Sequence, residues 1–285
     1  MKNVACFFTG GYTESNSMLS FLSKINDNLN FNQMCPNRTK RRKVRGDVES
    51  VTERNLIGNV SGLTGASLTK YVYKYLDDYQ AEIKSYDAII IEDDLDGSFF
   101  EIGSDGFKKS SKNAEFINHC AQIRENIIQR MGKGTDFPVI LFYAAPEIES
   151  WILSDWNNSF GYVYGPKEFQ YLTSDENRYF SARFQPYIKE NVLGEYNTCI
   201  EKYGYIDNQY YKLSDKLITS VQQFKVFLSD SDNNEELPKA IAQNQRLLYS
   251  KKIHGDKMLL HISPEKVKEK CPLYFAEAFD AIKNL

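Results

Sequence analysis

The chain has 285 residues, 42% of them hydrophobic and 14% aromatic, with a formal net charge of −3. That composition excludes wholesale disorder, and the near-neutral charge leaves no global argument for nucleic acid or membrane, so any such binding must come from a local patch. Five scattered cysteines (Cys6, Cys35, Cys120, Cys199 and Cys271) form no CxxC pair, which excludes a zinc ribbon or a thioredoxin-like motif and predicts reduced thiols in the cytoplasm.

Residues 3 to 9 (NVACFFT) read as a short buried strand, ended by Gly10-Gly11. Met18, Phe21, Leu22 and Ile25 then fall on one helical face. Residues 26 to 56 read as a polar connector without a helix. This connector carries RTKRRKVR, with six basic residues (Arg38, Lys40, Arg41, Arg42, Lys43 and Arg45) in eight positions. A second helix is predicted over 66–80, a strand over 87–92 (DAIIIE), and a Gly- and Ser-rich loop after it. A helix over 113–131 follows, then a strand over 137–144 (FPVILFYA) and a helix opening after Pro146.

Apolar strands alternating with helices predict an α/β fold, a parallel sheet flanked by helices. From 157 onward helical signals and polar connectors dominate, with no convincing strand. The expected organisation is therefore an α/β part over 1–156 and a mostly helical C-terminal half over 157–285 packed on it. Ser263 and Pro264 mark the start of a late helix. The N-terminus continues directly into strand-and-turn residues and does not read as a signal peptide. No run approaches 18 apolar residues, so no membrane span is expected.

The stretch IIIEDDLDG, residues 89 to 97, sets four acids (Glu92, Asp93, Asp94 and Asp96) at the end of a buried strand. In parallel sheets ligands sit at the carboxyl ends of the strands. On an extended segment Asp94 and Asp96 point the same way, and Glu14 follows the first strand across its Gly-Gly turn. Three carboxylates without His or Cys suit a hard cation, Mg²⁺ or Mn²⁺, that would be shared with substrate phosphates. Read without function, DLDG is simply a solvated turn.

GYTE, EDDLDG and PEIESWILSD together resemble the three signature blocks of TOPRIM-like proteins. More narrowly, the chain resembles the bacterial family called domain of unknown function 4276. The resemblance rests on Thr13-Glu14, on Asp94-Leu95-Asp96, on Pro146, Glu149, Trp151 and Asp155, and on the terminal block YSKKIHGDKMLLHISPEKVKEKCPLYF over 249–275. It implies a TOPRIM-like sheet with one acidic Mg²⁺ site. In that site Glu14 would do acid/base work and Asp94 and Asp96 would hold metal, with the extra acid Asp93 able to take the place of Asp94. The first block departs from the family in carrying Phe-Thr where an acid is common. The resemblance also implies a setting beside ATPases of the ABC or SMC type in anti-phage systems.

The remaining marks are weaker. The basic run is either a phosphate-contacting patch or an exposed charged loop, and Lys108, Lys109 and Lys112 could assist it. Glu149 lies near a strand end and could join the acidic site, whereas Asp155 reads as a cap and Trp151 as core. His119, His254 and His261 read as structural. Gly10-Gly11 lacks the partners of a phosphate loop, and Ser17 and Ser150 lack a nucleophile context.

The functional expectation is a metal-dependent nuclease, an effector of anti-phage defence working with an ATPase. Its catalytic residues would be Glu14, Asp94, Asp96 and Glu149, and its substrate nucleic acid, DNA ahead of RNA. Self-association stays open. The alternative is a non-catalytic TOPRIM-like subunit that docks on the ATPase.

Overall fold

A computed structural model describes residues 1–9, 14–36, 39–44, 47–52, 63–96, 98–102, 108–110, 113–163, 174–203, 205–206, 209–210, 212–230, 239, 241 and 249–285. Four parallel strands form the central sheet: β1 (Lys2–Phe7), β2 (Leu29–Cys35), β5 (Ala88–Asp94) and β8 (Val139–Ala144), in the order β2-β1-β5-β8. The crossovers contain α1 (Glu14–Ile25) between β1 and β2, α2 (Gly65–Asp78) and α3 (Gln80–Ile83) before β5, and α4 (Ala114–Met131) before β8. The fold is α/β.

Two connectors hold strands that the sequence reading did not name. The polar connector over 26–56 is helix-free among its described residues, as expected, but not strand-free. It holds β2, an edge strand, and an antiparallel hairpin of β3 (Thr39–Val44) and β4 (Asp47–Thr52). Strand β2 pairs along its whole length with β1. Its sequence LNFNQMC hides it because an edge strand tolerates Asn and Gln where a central strand does not. The loop after β5 likewise contains a short hairpin, β6 (Phe100–Ile102) with β7 (Lys108–Ser110).

The side chains of β5 alternate between two cores, as the pleat requires. Ala88 and Ile90 join one cluster, Ile89 and Ile91 the other. The second cluster lies under α2 and α4, where Phe7 meets Tyr75 edge-on at 5.3 Å and Phe116 meets Tyr143 at 5.4 Å. Helix α4 begins at Asn113, whose side chain accepts from Phe116 N at 2.9 Å, and ends at Gly132 in the left-handed region. We expect Asn113→Ala to remove only this cap, lowering stability in urea unfolding by about 1 kcal/mol with the m-value unchanged.

The first cluster lies under α1 and the C-terminal half. That half contains α5 (Glu149–Ser154), α6 (Phe160–Val163), α7 (Ser174–Ile188) and α8 (Leu213–Asp230). It continues with α9 (Asp256–His261), α10 (Pro264–Lys270) and α11 (Phe275–Lys283). Helical residues dominate it, with one small exception to the expectation of no strand: β9 (Tyr205–Ile206) and β10 (Gln209–Tyr210), a two-residue ladder. One contiguous apolar cluster runs from Val4 and Phe142 on the sheet to Phe184, Phe224 and Phe275. Trp151, fully buried, is its hinge piece. It stacks on Phe21 at 5.5 Å and meets Phe142 and Phe275 at 4.8 and 5.1 Å.

No helix among the described residues is long and apolar enough to cross a membrane.

Candidate functional site

Strand order reverses between β1 and β5. The chain moves outward from β1 to β2 and then returns to the other side of β1 for β5. The crevice outside the carboxyl ends at such a switch point is where α/β sheets bind ligands. The acidic stretch of β5 ends there.

Its acids do not share one environment. Glu92 is fully buried and its Oε2 accepts from Thr9 N at 3.1 Å and Thr9 Oγ1 at 3.2 Å, tying the end of β1 to β5. Asp93 leaves the strand on the opposite face, where its Oδ2 accepts from Gly65 N at 2.8 Å at the start of α2. Burial pushes the Asp93 carboxyl up to about 7, against the Gly65 and Asp94 amides that favour its charge, and the Asp96 charge adds to the rise. Asp94 returns to the first face, and its Oδ1 accepts from Ile148 N at 2.9 Å. Asp93 and Asp94 therefore lie on opposite sides of the sheet and cannot substitute for one another at a single ion.

Asp96 is not part of an extended run. Its φ is +47°, and its N–H donates to Pro146 O at 2.8 Å. The simple alternation expected for Asp94 and Asp96 fails here, yet both are delivered to the segment after β8. Asp96 Oδ1 meets Lys212 Nζ at 3.1 Å.

A second pair of carboxylates completes the surroundings. Glu147, buried, accepts from Leu213 N at 2.7 Å through Oε1 and from Ser214 Oγ at 2.8 Å through Oε2, so it holds the first turn of α8. Glu149, fully buried, accepts from Tyr249 Oη at 2.9 Å and lies 3.2 Å from Lys251 Nζ. Burial and the neighbouring Glu149 charge raise the Glu147 carboxyl above its usual range, opposed by Lys251 and Lys212. Burial lowers the Lys212 ammonium, but the hydrogen bond and charge of Asp96, with Glu147 behind, raise it on balance. Asp96, Glu147 and Glu149 thus face Lys212 and Lys251, three carboxylates against two ammonium groups, with Asp94 beside them at the end of β5.

Of these, only Asp94, Asp96 and Glu149 were legible as candidates in the sequence. Glu147, Lys212, Tyr249 and Lys251 were missed. Glu147-Ile148-Glu149 directly after an apolar strand was the available signal, as was the Lys pair at 251–252 inside the terminal block. Glu14 is the first residue of α1, just past the end of β1, and the structure describes its backbone alone. Lys40, Arg41, Arg42 and Lys43 lie along β3, with Arg42 opposite Glu49 and Lys43 opposite Val48 in the hairpin register. The positions of their side chains, and Arg38 and Arg45 altogether, lie outside the described residues. Lys108 and Lys109 are placed by backbone on β7, and Lys112 lies outside.

Other candidates are structural. Asp155 Oδ2 accepts from Ser263 N and Asn158 Nδ2, both at 2.9 Å, and has no part in the acidic cluster. Ser17 Oγ donates to Asp256 O. His254 Nδ1 accepts from Ser250 N at 3.0 Å, and burial with the nearby Lys257 charge lowers its imidazole to about 4, so it is neutral and fixed. His119 packs on Phe99 and His261 on Tyr162.

Among the described residues no three His, Cys, Asp or Glu side chains converge as a closed metal-ligating group. The chemistry of the cluster still fits a hard cation. Its donors are all oxygen, its carboxylates outnumber its ammonium groups, and Mg²⁺ takes only one or two carboxylates while keeping several waters.

The chain matches no protein-family model, no curated protein and no solved structure.

Proposed function

We propose that the protein is a Mg²⁺-dependent enzyme that cleaves phosphodiester bonds of nucleic acid. The observation that carries this reading is the cluster at the switch point, where Asp96, Glu147 and Glu149 face Lys212 and Lys251 and Asp94 ends the strand beside them. Carboxylates alone would repel a polyanion. Carboxylates interleaved with ammonium groups can hold a cation and a phosphate side by side. A bound Mg²⁺ supplies Lewis acidity at a phosphoryl oxygen. Asp94 and Asp96 bind the ion, Glu14 exchanges the proton of the attacking or leaving oxygen, and Glu149 orients Lys251. The basic strand β3 contacts backbone phosphates, of DNA ahead of RNA. The resemblance to TOPRIM-like anti-phage proteins supplies the setting, an effector that works with an ABC or SMC-type ATPase.

A second reading is favoured by one observation: Glu147 and Glu149 already engage α8, Tyr249 and Lys251 through short internal hydrogen bonds. On that reading the cluster is a structural knot, and the chain is a non-catalytic subunit that docks on the ATPase. Calorimetric titration with Mn²⁺ separates the two. On the first reading the wild type binds and Asp94→Asn/Asp96→Asn does not, and Asp96→Asn lowers metal-dependent cleavage at least a hundredfold while keeping the wild-type melting temperature. Absence of binding to the wild type, with and without an oligonucleotide present, establishes the knot instead.

A further inference from the structure

We propose that the outer edge of β8 is a docking slot for an extended peptide segment of another protein, which pairs with it as a fifth strand of the sheet. Among the described residues β8 has one strand neighbour, β5. The register fixes which backbone groups are used. Ile89 N donates to Pro138 O and Leu95 N to Ala144 O, with Ile89 opposite Val139 and Asp93 opposite Tyr143 between them. In a parallel ladder each residue turns its N–H and C=O to one side and its neighbour turns them to the other. Residues 138, 140, 142 and 144 therefore serve β5, and Val139, Leu141 and Tyr143 present their backbone groups outward.

Arg124 caps only the first of these, donating from Nε to Val139 O at 3.3 Å. No described residue hydrogen-bonds to the outward groups of Leu141 and Tyr143. Beside them lies a cavity of about 260 Å³ between α4 and α11, walled by Phe116 and Ile117 on one side and Ala278 and Ala281 on the other. Ile117 is 57% exposed at its rim, unusual for a large aliphatic side chain on a core-facing helix. An edge strand with unpaired backbone groups is a template for another strand, and peptide recognition by strand addition combines that backbone row with pockets for alternate side chains.

Charge selects the occupant further. Arg124 lines the cavity with its Nε already fixed, leaving the guanidinium fork to meet a carboxylate at the amino end of β8. Exposed Glu277 on the opposite wall disfavours a second acid there. The partner segment is extended, apolar at alternate positions, free of proline where it pairs, and acidic at the end that reaches Arg124.

The test is selection of a displayed random heptapeptide library on the full chain, followed by resynthesis of enriched peptides. Two groove variants serve as controls, Ala281→Trp, which fills the cavity from an exposed helix position, and Arg124→Gln. Enriched peptides should alternate apolar residues and carry one acid. They should bind at least tenfold more weakly to either variant at unchanged melting temperature, and protect the Leu141 and Tyr143 amides from hydrogen exchange. Peptides that tolerate proline throughout, or that leave those amides exchanging as before, would overturn the proposal. So would a library that yields nothing dependent on the groove. Concentration-dependent self-association lost in Ala281→Trp would also overturn it, by giving the slot to a second copy of the chain. None of these outcomes depends on metal binding or nuclease activity.

Discussion

Glu201→Ala is expected to be among the most destabilising single substitutions in the chain, by roughly 3–6 kcal/mol, with no change in the geometry of the acidic cluster. Glu201 is fully buried in the short helical turn Ile200–Lys202. Its two oxygens accept from three successive backbone amides, those of Leu273, Tyr274 and Phe275. The last two are the N-cap and first N–H groups of α11, which have no partner within the helix, and the first belongs to the turn leading into it. A carboxylate at a helix start also meets the positive end of the helix dipole. Alanine would orphan all three donors, each costing about 1–3 kcal/mol when buried unsatisfied. Helix α11 carries Phe275 into the aromatic cluster under the sheet, so its docking and the sheet face fail together. Chemical denaturation of Glu201→Ala and Glu201→Gln checks this. Glutamine retains one acceptor and is expected to lose less than half as much. Equal losses in the two variants would show that volume, not hydrogen bonding, is what Glu201 supplies.

The contrast between what could and could not be read from the sequence follows from range. Strands β1, β5 and β8 are continuous apolar runs buried on both faces, so their composition alone marks them. Helices α1, α2 and α4 show the 3.6 period because each lies with one side on the sheet. Strand β2 was invisible because three of its residues are Asn or Gln and half of it faces outward. The hairpin β3–β4 reads as a charged connector because a strand that carries Lys, Arg, Arg and Lys in succession shows no alternation.

At the site, the position of the acids was legible, since a strand that ends in carboxylates puts them at the sheet's carboxyl edge whatever follows. Their division into two faces needed the register. The partners needed the tertiary fold. Glu147 meets Leu213 across 66 positions and Glu149 meets Tyr249 across 100, and no local spacing encodes that. Asp96 shows the limit from the other side. Its left-handed backbone follows from a turn sequence, Asp-Gly, that was read correctly as a turn but not as the device that swings its carboxylate to Lys212.

Asp93→Asn is expected to reverse its effect on stability with pH in protein freed of divalent ions by EDTA. The unfolded carboxyl titrates near 3.8 and the folded one near 7, chiefly because Asp93 is buried. Between those values the folded chain holds a proton that the unfolded chain has released. For a group shifted upward in this way, the favourable contribution is complete below pH 3.8 and is lost as pH rises through 7. The separation corresponds to roughly 4 kcal/mol at about 1.36 kcal/mol per tenfold. Wild-type stability should therefore fall by up to that amount between pH 4 and pH 8 on account of this one side chain.

Asparagine cannot ionise and still offers an oxygen to Gly65 N. Its amide NH₂ would replace Oδ1, which is buried without a hydrogen-bond partner among the described residues, at a cost of about 1–3 kcal/mol. The variant should be the less stable protein at pH 4 and the more stable one at pH 8, with the curves crossing between. Urea midpoints at half-unit pH intervals would show the crossing, and parallel curves would mean that Asp93 is ionised throughout. Because burial is the largest cause of the shift and the Asp96 charge the last, the crossing should survive, with a smaller fall between pH 4 and pH 8, in the Asp94→Asn/Asp96→Asn background. Retention there would separate the acid that tunes the fold from the two acids delivered to the segment after β8.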